Sequence, residues 1–264
     1  MTDGPESFAA WATGRENPRF SNWLRARSQP AWEDATRHRF VTELGADTID
    51  DAVFRRYLVQ DYAFVDALAG AFGHAVGDAP SMAARGRLVD FLATLTSDEN
   101  DYFERAFDAL DVPPEDRERP ALAEPTRAFR DCIGRATTGG YPELLAVLVP
   151  AEWVYLDWAT HVADRSPDRA YLDEWIRLHA NPEFESFVSW LRAELDREGA
   201  AVSPRRQREL AAIFERAVDL EVAFFDAAYD ATATDTESTA TESDAESTAT
   251  DSTAEPTAGG DGAW

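Results

Sequence analysis

The most apolar run in the chain, residues 144–158, carries a glutamate at its centre: Glu152 lies between Leu148 and Tyr155. On a helix those three residues share one face, at spacings of four and three. An acid is thereby carried toward an apolar interior, where burial disfavours its charged form unless a partner compensates. Such a segment reads as the centre of a helical domain with a carboxyl group turned into its core; the plainer alternative is a glutamate on a helix surface.

The flanking sequence repeats the helical period. Phe20, Trp23, Leu24, Arg27 and Ala31 recur at helical spacing and predict a first helix over residues 20–38. Beyond the Gly45 turn, Thr48-Ile49-Asp50 opens a second helix, with Tyr57, Asp61, Phe64 and Leu68 on one stripe. Gly70, Gly73 and Gly77 are expected to loosen it, and Asp78-Ala79-Pro80 to end it. A third helix is expected over residues 82–110. After an acidic loop, Pro125 stands in the first turn of a helix carrying Phe129, Cys132 and Ile133, and Pro142 begins the central helix. Tyr171, Trp175, Leu178 and His179 mark another. Phe184, Phe187, Val188 and Leu191 belong to a helix that ends at Gly199, and Ser203-Pro204 caps the last, with the stripe Leu210, Phe214, Val218, Glu221 and Phe225. No segment alternates with period two long enough to propose a strand. The expected class is all-α, a bundle of about seven to eight helices.

The charge narrows the function. All 25 basic residues are arginine, against 50 acids, for a formal net charge of −25. That balance repels nucleic-acid phosphates and anionic lipid, and solvated carboxylates suit a high-salt interior where their repulsion is screened. A halophilic, cytoplasmic protein is therefore expected, with no nucleic-acid partner. No apolar stretch approaches a membrane span, and the N-terminus lacks the basic and apolar regions of a signal peptide. With one cysteine, Cys132, no intrachain disulfide can form. Residues 231–264 are almost entirely Ala, Thr, Ser, Gly and acids without apolar period, a composition unable to offset its ordering entropy. The expected organisation is an extension over 1–18, a helical domain over 19–230 and a disordered acidic tail over 231–264.

Asp61, Glu152 and Glu221 each interrupt the apolar stripe of a different helix, with Phe64, Tyr155 and Phe225 one turn further on. One such acid is more often a satisfied core residue than a functional one; three on separate helices are harder to dismiss. A di-iron bundle would bring acids inward too, but its Glu-x-x-His pairs are absent. His38, His74, His161 and His179 are scattered without ligand spacing and read as structural or surface residues, so no metal is expected. Phosphate loops and nucleophile elbows are missing.

Taken together, Phe54-x-x-Tyr57-x-x-Gln60-Asp61-Tyr62-x-Phe64, Pro150-x-x-Trp153-x-Tyr155, Trp175-Ile176 and Glu221-Val222-Ala223-Phe224-Phe225-Asp226 resemble the successive signatures of the TenA/thiaminase II family, and His38-x-Phe40-Val41 resembles the ending of its first helix. The resemblance runs over about residues 20–230. It implies a haem oxygenase-like helical fold, usually a homotetramer, that hydrolyses the C–N bond of aminopyrimidine compounds in thiamin salvage without a cofactor. Asp61 then matches the aspartate that recognises the aminopyrimidine, with Phe64 beside it. Tyr155 and Glu221 match the pocket tyrosine and the catalytic glutamate. Phe129 stands where many members have tyrosine, and His179 near an expected stacking tyrosine. Ala151 occupies the position of the nucleophilic cysteine, which likens the chain to a cysteine-less branch that relies on glutamates, with Glu152 beside the vacated position.

The chemistry can be argued without the family. A 4-aminopyrimidine presents a ring nitrogen and an exocyclic amine side by side, and an aspartate can pair with both, favouring the protonated ring. Hydrolysis then needs an acid for the leaving nitrogen and a base for water, which two glutamates of divergent pKa supply. Glu221 and Glu152 are the expected acid/base pair and Asp61 the anchor. Tyr57, Tyr155, Phe64, Phe129 and His179 are the expected substrate-binding walls. Two other readings stay open: a pyrimidine-binding protein that lost catalysis with its cysteine, and a transcriptional regulator, against which the charge and the lack of a basic helix argue.

Overall fold

The computed structural model describes residues 7–230; the expected tail, 231–264, lies outside the described residues, as do residues 1–6. The described elements are all helical: α1 Phe8–Ala12, α2 Phe20–Arg27, α3 Ala31–Thr36, α4 Arg39–Gly45, α5 Asp51–Asp78, α6 Met82–Thr94, α7 Asn100–Ala109, α8 Pro114–Glu118, α9 Glu124–Ala136, α10 Tyr141–Val162, α11 Ala170–His179, α12 Pro182–Ala201 and α13 Pro204–Ala227. A π-helical turn, Leu95–Glu99, joins α6 to α7.

The central helix is α10, buried along almost its whole length and packed against α5, α9, α11, α12 and α13. It enters from Gly140, whose φ of 105° only glycine adopts freely. Pro150 lies inside it, so one backbone hydrogen bond is missing within a turn of Glu152. The helices around it start where short polar side chains accept their free N–H groups. Asp50 accepts from Ala52, Asn181 from Phe184 and Ser203 from Arg206. Gly199 lets α12 close onto α2, since a Cβ there would stand 2.1 Å from the Phe20 ring. Part of the expected N-terminal extension packs on the domain, with Phe8 of α1 edge-on to Phe20 at 5.3 Å.

Three local expectations are corrected. The helix predicted over 20–38 is two, α2 and α3, broken at Gln29-Pro30 because proline has no N–H to continue a helical ladder. The glycines do not loosen α5, which runs unbroken to Asp78; no atom lies within 4 Å of where their Cβ atoms would be, so they lower helix propensity without inviting a kink. The helix predicted over 82–110 is interrupted by the π turn. Short helices α1, α3, α4 and α8 add to the longer ones of the expected bundle. Among the described residues, no helix is long and apolar enough to cross a membrane.

Candidate active site

Asp61 arrives on α5, Glu152 on α10 and Glu221 on α13, and all three are buried. Tyr57, one turn before Asp61, places its hydroxyl 3.0 Å from Asp61 Oδ2 and 3.0 Å from the Tyr155 hydroxyl, which in turn lies 3.4 Å from Asp61 Oδ1. Two hydroxyl hydrogens serve three contacts; a proton on Asp61 would supply the third. Burial pushes Asp61 up to about 7, against the lowering effect of the two tyrosine hydroxyls. Glu152 is pushed up to about 8, first by burial and then by Asp61. Burial raises Glu221 well above the carboxylate range, with Asp61 and Glu152 adding to it. Glu152 Oε1 and Glu221 Oε1 have no hydrogen-bond partner in the protein. Buried polar atoms are seldom left so.

Two of these acids face a cavity of about 20 Å³ lined by Asp61, Phe64, Glu99, Glu152, Tyr155 and His179, with Ala151 and Trp175 also in its wall. That is room for about one water, so a pyrimidine ring enters only if the walls part. Phe64 stacks at an angle on Phe129, with centroids 4.7 Å apart. His179 Nδ1 lies 3.0 Å from the Trp175 carbonyl oxygen. A carbonyl only accepts, so Nδ1 carries the hydrogen and Nε2 remains an acceptor. Burial lowers this imidazole to about 4 and holds it neutral.

Of the residues singled out by sequence, Asp61, Glu152, Phe64, Tyr155 and His179 line the cavity. Tyr57 stands behind Asp61. Glu221 is buried against the same acids without itself lining the cavity, and Phe129, expected as a wall, stands one ring back behind Phe64. His38 has the structural place expected of it, accepting from the Phe40 N–H at the start of α4. Cys132 is buried on α9 and is not part of the cavity lining. Among the described residues, no group of three or more His, Cys, Asp or Glu is arranged to hold a metal ion.

Sequence reasoning missed Glu99. It is the last residue of the π turn, and burial raises its carboxyl well above the usual range, helped by Glu152 and Asp61. A faint signal was present, since Leu95, Glu99 and Phe103 are spaced by four, but the polar neighbours Ser97, Asp98 and Asn100 masked it. The larger cleft, of about 850 Å³, lies elsewhere, with Arg117 paired to Glu104 and Arg130 to Asp66 in its lining. It meets the cavity only at apolar Val65 and Leu95.

The model of the TENA/THI-4/PQQC family matches residues 25–231. The chain belongs to this family. It is 28% identical over 217 residues to the aminopyrimidine aminohydrolase of Halalkalibacterium halodurans, covering 80% of this chain and 96% of that protein. The aminopyrimidine aminohydrolase of Helicobacter pylori is 23% identical over 214 residues, covering 80% of this chain and 99% of that protein. Among solved structures, a TenA homologue from Pyrococcus furiosus superposes with a TM-score of 0.73 at 20% identity, over 80% of this chain and all of that one (100%). At such identity the superposition bears on the fold, which is the one that the sequence motifs imply.

Proposed function

We propose that the protein hydrolyses the exocyclic C–N bond of aminopyrimidine products of thiamin breakdown, releasing an amine and leaving a hydroxymethyl pyrimidine. The observation that carries this reading is the gathering of three buried acids, Asp61 and Glu152 in the wall of one small cavity and Glu221 close enough to feel both, with one oxygen of each glutamate left without a hydrogen-bond partner in the protein. Relatives that align over nearly their whole lengths are named for the same activity.

In this reading Asp61, held by Tyr57 and Tyr155, pairs with the ring nitrogen and the 4-amino group. Phe64 and Tyr155 flank the ring, and the aromatic layer continues through Phe129. His179, neutral, offers Nε2 as an acceptor without adding charge. Glu152 and Glu221 divide the proton work: one activates water, the other protonates a leaving nitrogen that arrives neutral. Ala151 offers no nucleophile, so water attacks directly and no covalent intermediate forms, as in the cysteine-less branch. The overall step balances: water gives its oxygen to the methylene carbon, the C–N bond breaks, and the nitrogen leaves with a proton. Ala151 also favours a second reading, a pyrimidine binder without turnover.

The test is to incubate the protein at high salt with thiamin, the aminomethyl pyrimidine and its formyl derivative and to identify the products. Hydroxymethyl pyrimidine and ammonia from the aminomethyl compound are expected; binding without product would leave only the binder. A cytoplasmic, halophilic setting follows from the charge. A homotetramer follows from the family, and Met82, 79% exposed on α6 with Val89 exposed one heptad on, is apolar surface suited to such an interface. A monomer by light scattering in high salt would remove that assignment.

A further inference from the structure

Glu99 and His179 line the inner cavity and also an outer groove of about 640 Å³. The groove runs between α6 and the start of α12, past Phe91, Asp98, Glu183 and Phe184. It joins the cavity through two polar side chains, whereas the larger cleft meets it only at Val65 and Leu95. Glu99 has no hydrogen bond or ion pair among the described residues, although Arg87 lines the same groove. The π turn is what brings it there. An extra residue in that turn shifts the helical register between α6 and α7, and such insertions are frequent at functional sites.

We propose that Glu99 receives the protonated amino group of the substrate, and that substituents on that nitrogen extend into the outer groove. The inference rests on the aminopyrimidine reading above and specifies it. Asp61 lies deep on α5 and Glu99 at the junction with the groove, so a pyrimidine held by Asp61 would direct its amine outward. The carboxylate of Glu99 and the ammonium neutralise each other where a lone charge of either sign is costly. Asp90, Asp98 and Glu183 leave the groove net acidic despite Arg87, which suits amines and disfavours phosphorylated compounds. Substrates are thereby sorted by the charge at their leaving nitrogen, and large N-substituents are tolerated where ring substituents are not.

The test measures binding by the full chain in high salt, by rapid-mixing quench of tryptophan fluorescence before turnover, since Trp175 is in the cavity wall. The probes are the aminomethyl pyrimidine, the neutral hydroxymethyl pyrimidine and an N-benzyl derivative of the amine. Glu99→Gln is expected to weaken the amine by about 10- to 100-fold, the scale of a hydrogen-bonded charge, and to leave the alcohol nearly unchanged. Glu99→Asp, which keeps the charge, should restore most of the preference for the amine and controls for misfolding. Wild type should bind the N-benzyl amine about as well as the parent. Equal losses for amine and alcohol, or no loss for either, would overturn the role of Glu99. Rejection of the N-benzyl compound would overturn the groove. If wild type binds neither pyrimidine, the aminopyrimidine reading itself has failed and this assignment goes with it.

Discussion

Glu152 and Glu194 are equally buried, each 6% exposed, yet their surroundings are opposite. Glu194 on α12 accepts from the Tyr141 hydroxyl at 2.9 Å and from Arg197 through both carboxyl oxygens. Glu152 has a buried oxygen with no hydrogen-bond partner in the protein, and the charge that acts on it is another acid, Asp61. The same contrast recurs across the molecule. Asp157 is held by Arg25 and by Trp32 Nε1 at 3.0 Å, Asp47 by Arg169, and Glu143 by Arg206. In a chain with twice as many acids as arginines, arginine is concentrated on acids that fix helices to one another and is absent from the cavity. Burial alone therefore does not mark a functional acid; burial without a partner does, because the group is left free to exchange a proton or bind a ligand.

Glu221 is the sharpest place to break the comparison. It is unpartnered, so its removal should cost catalysis and not the fold. Glu221→Gln is expected to lower kcat by about 10²- to 10⁴-fold, the range for a lost acid or base, with a melting temperature at or above that of wild type. Near-normal turnover would put Glu221 among the structural acids.

The next pair sets Glu152 against Glu194. Glu152→Gln should slow turnover and abolish one limb of a bell-shaped pH–rate profile, whose two apparent pKa values belong to the acid cluster as a whole. Affinity for the hydroxymethyl product should stay nearly unchanged, since Asp61 supplies that contact. Glu194→Gln should do the reverse: activity stays, and stability falls by about 1–3 kcal/mol through weakened bonds to Arg197 and Tyr141. Urea unfolding at constant salt and steady-state rates on both variants decide. If the two behave alike, the distinction between paired and unpaired acids carries no function.

The acids that sequence revealed were those whose helix kept its register. Asp61, Glu152 and Glu221 stand on stripes of unbroken helices, so spacing alone turned them inward. Trp175 was visible as part of a motif, but its place in the cavity wall depends on how α11 lies across α5 and α10. Glu99 was hidden by its neighbours: Ser97, Asp98 and Asn100 read as a solvated polar run, and a π turn is not visible in hydrophobic spacing. Tertiary contacts also decided the break at Pro30 and the persistence of α5 through its glycines. The tyrosine pair on Asp61 was half legible: Tyr57 shares its stripe, while Tyr155 comes from a helix about ninety residues away.

The unpartnered acids also give stability a direction with pH. Asp61 and Glu152 are raised in the folded state, to about 7 and about 8, from 3.8 and 4.5. Between those limits the native state binds more protons than the unfolded one, so stability falls as pH rises. Below about pH 4 both states hold these protons and the effect vanishes. Wild type should therefore unfold at lower urea at pH 8 than at pH 5.5, and Glu152→Gln should lose less over the same interval. A stability that rises across this window would mean that the cluster is hydrated or paired in solution.

The smallest effect is expected at Cys132, the one thiol of the chain and the residue closest in kind to the cysteine that the family resemblance leads one to expect at Ala151. It lies on α9 one turn from Phe129, whose ring stacks on Phe64 of the cavity wall, so a displaced nucleophile has to be considered. Two observations argue against it. Cys132 is not part of the cavity lining, and burial raises its thiol above the ordinary value against only weak help from Arg135 and Arg216, so the thiolate is scarce near neutrality. Cys132→Ser should leave turnover nearly unchanged, and a thiol reagent should not inactivate the native protein in a substrate-protectable way. Collapse of turnover in that variant, with substrate protection in wild type, would show that a covalent route has moved to α9 and that the carboxyl cluster serves only to bind.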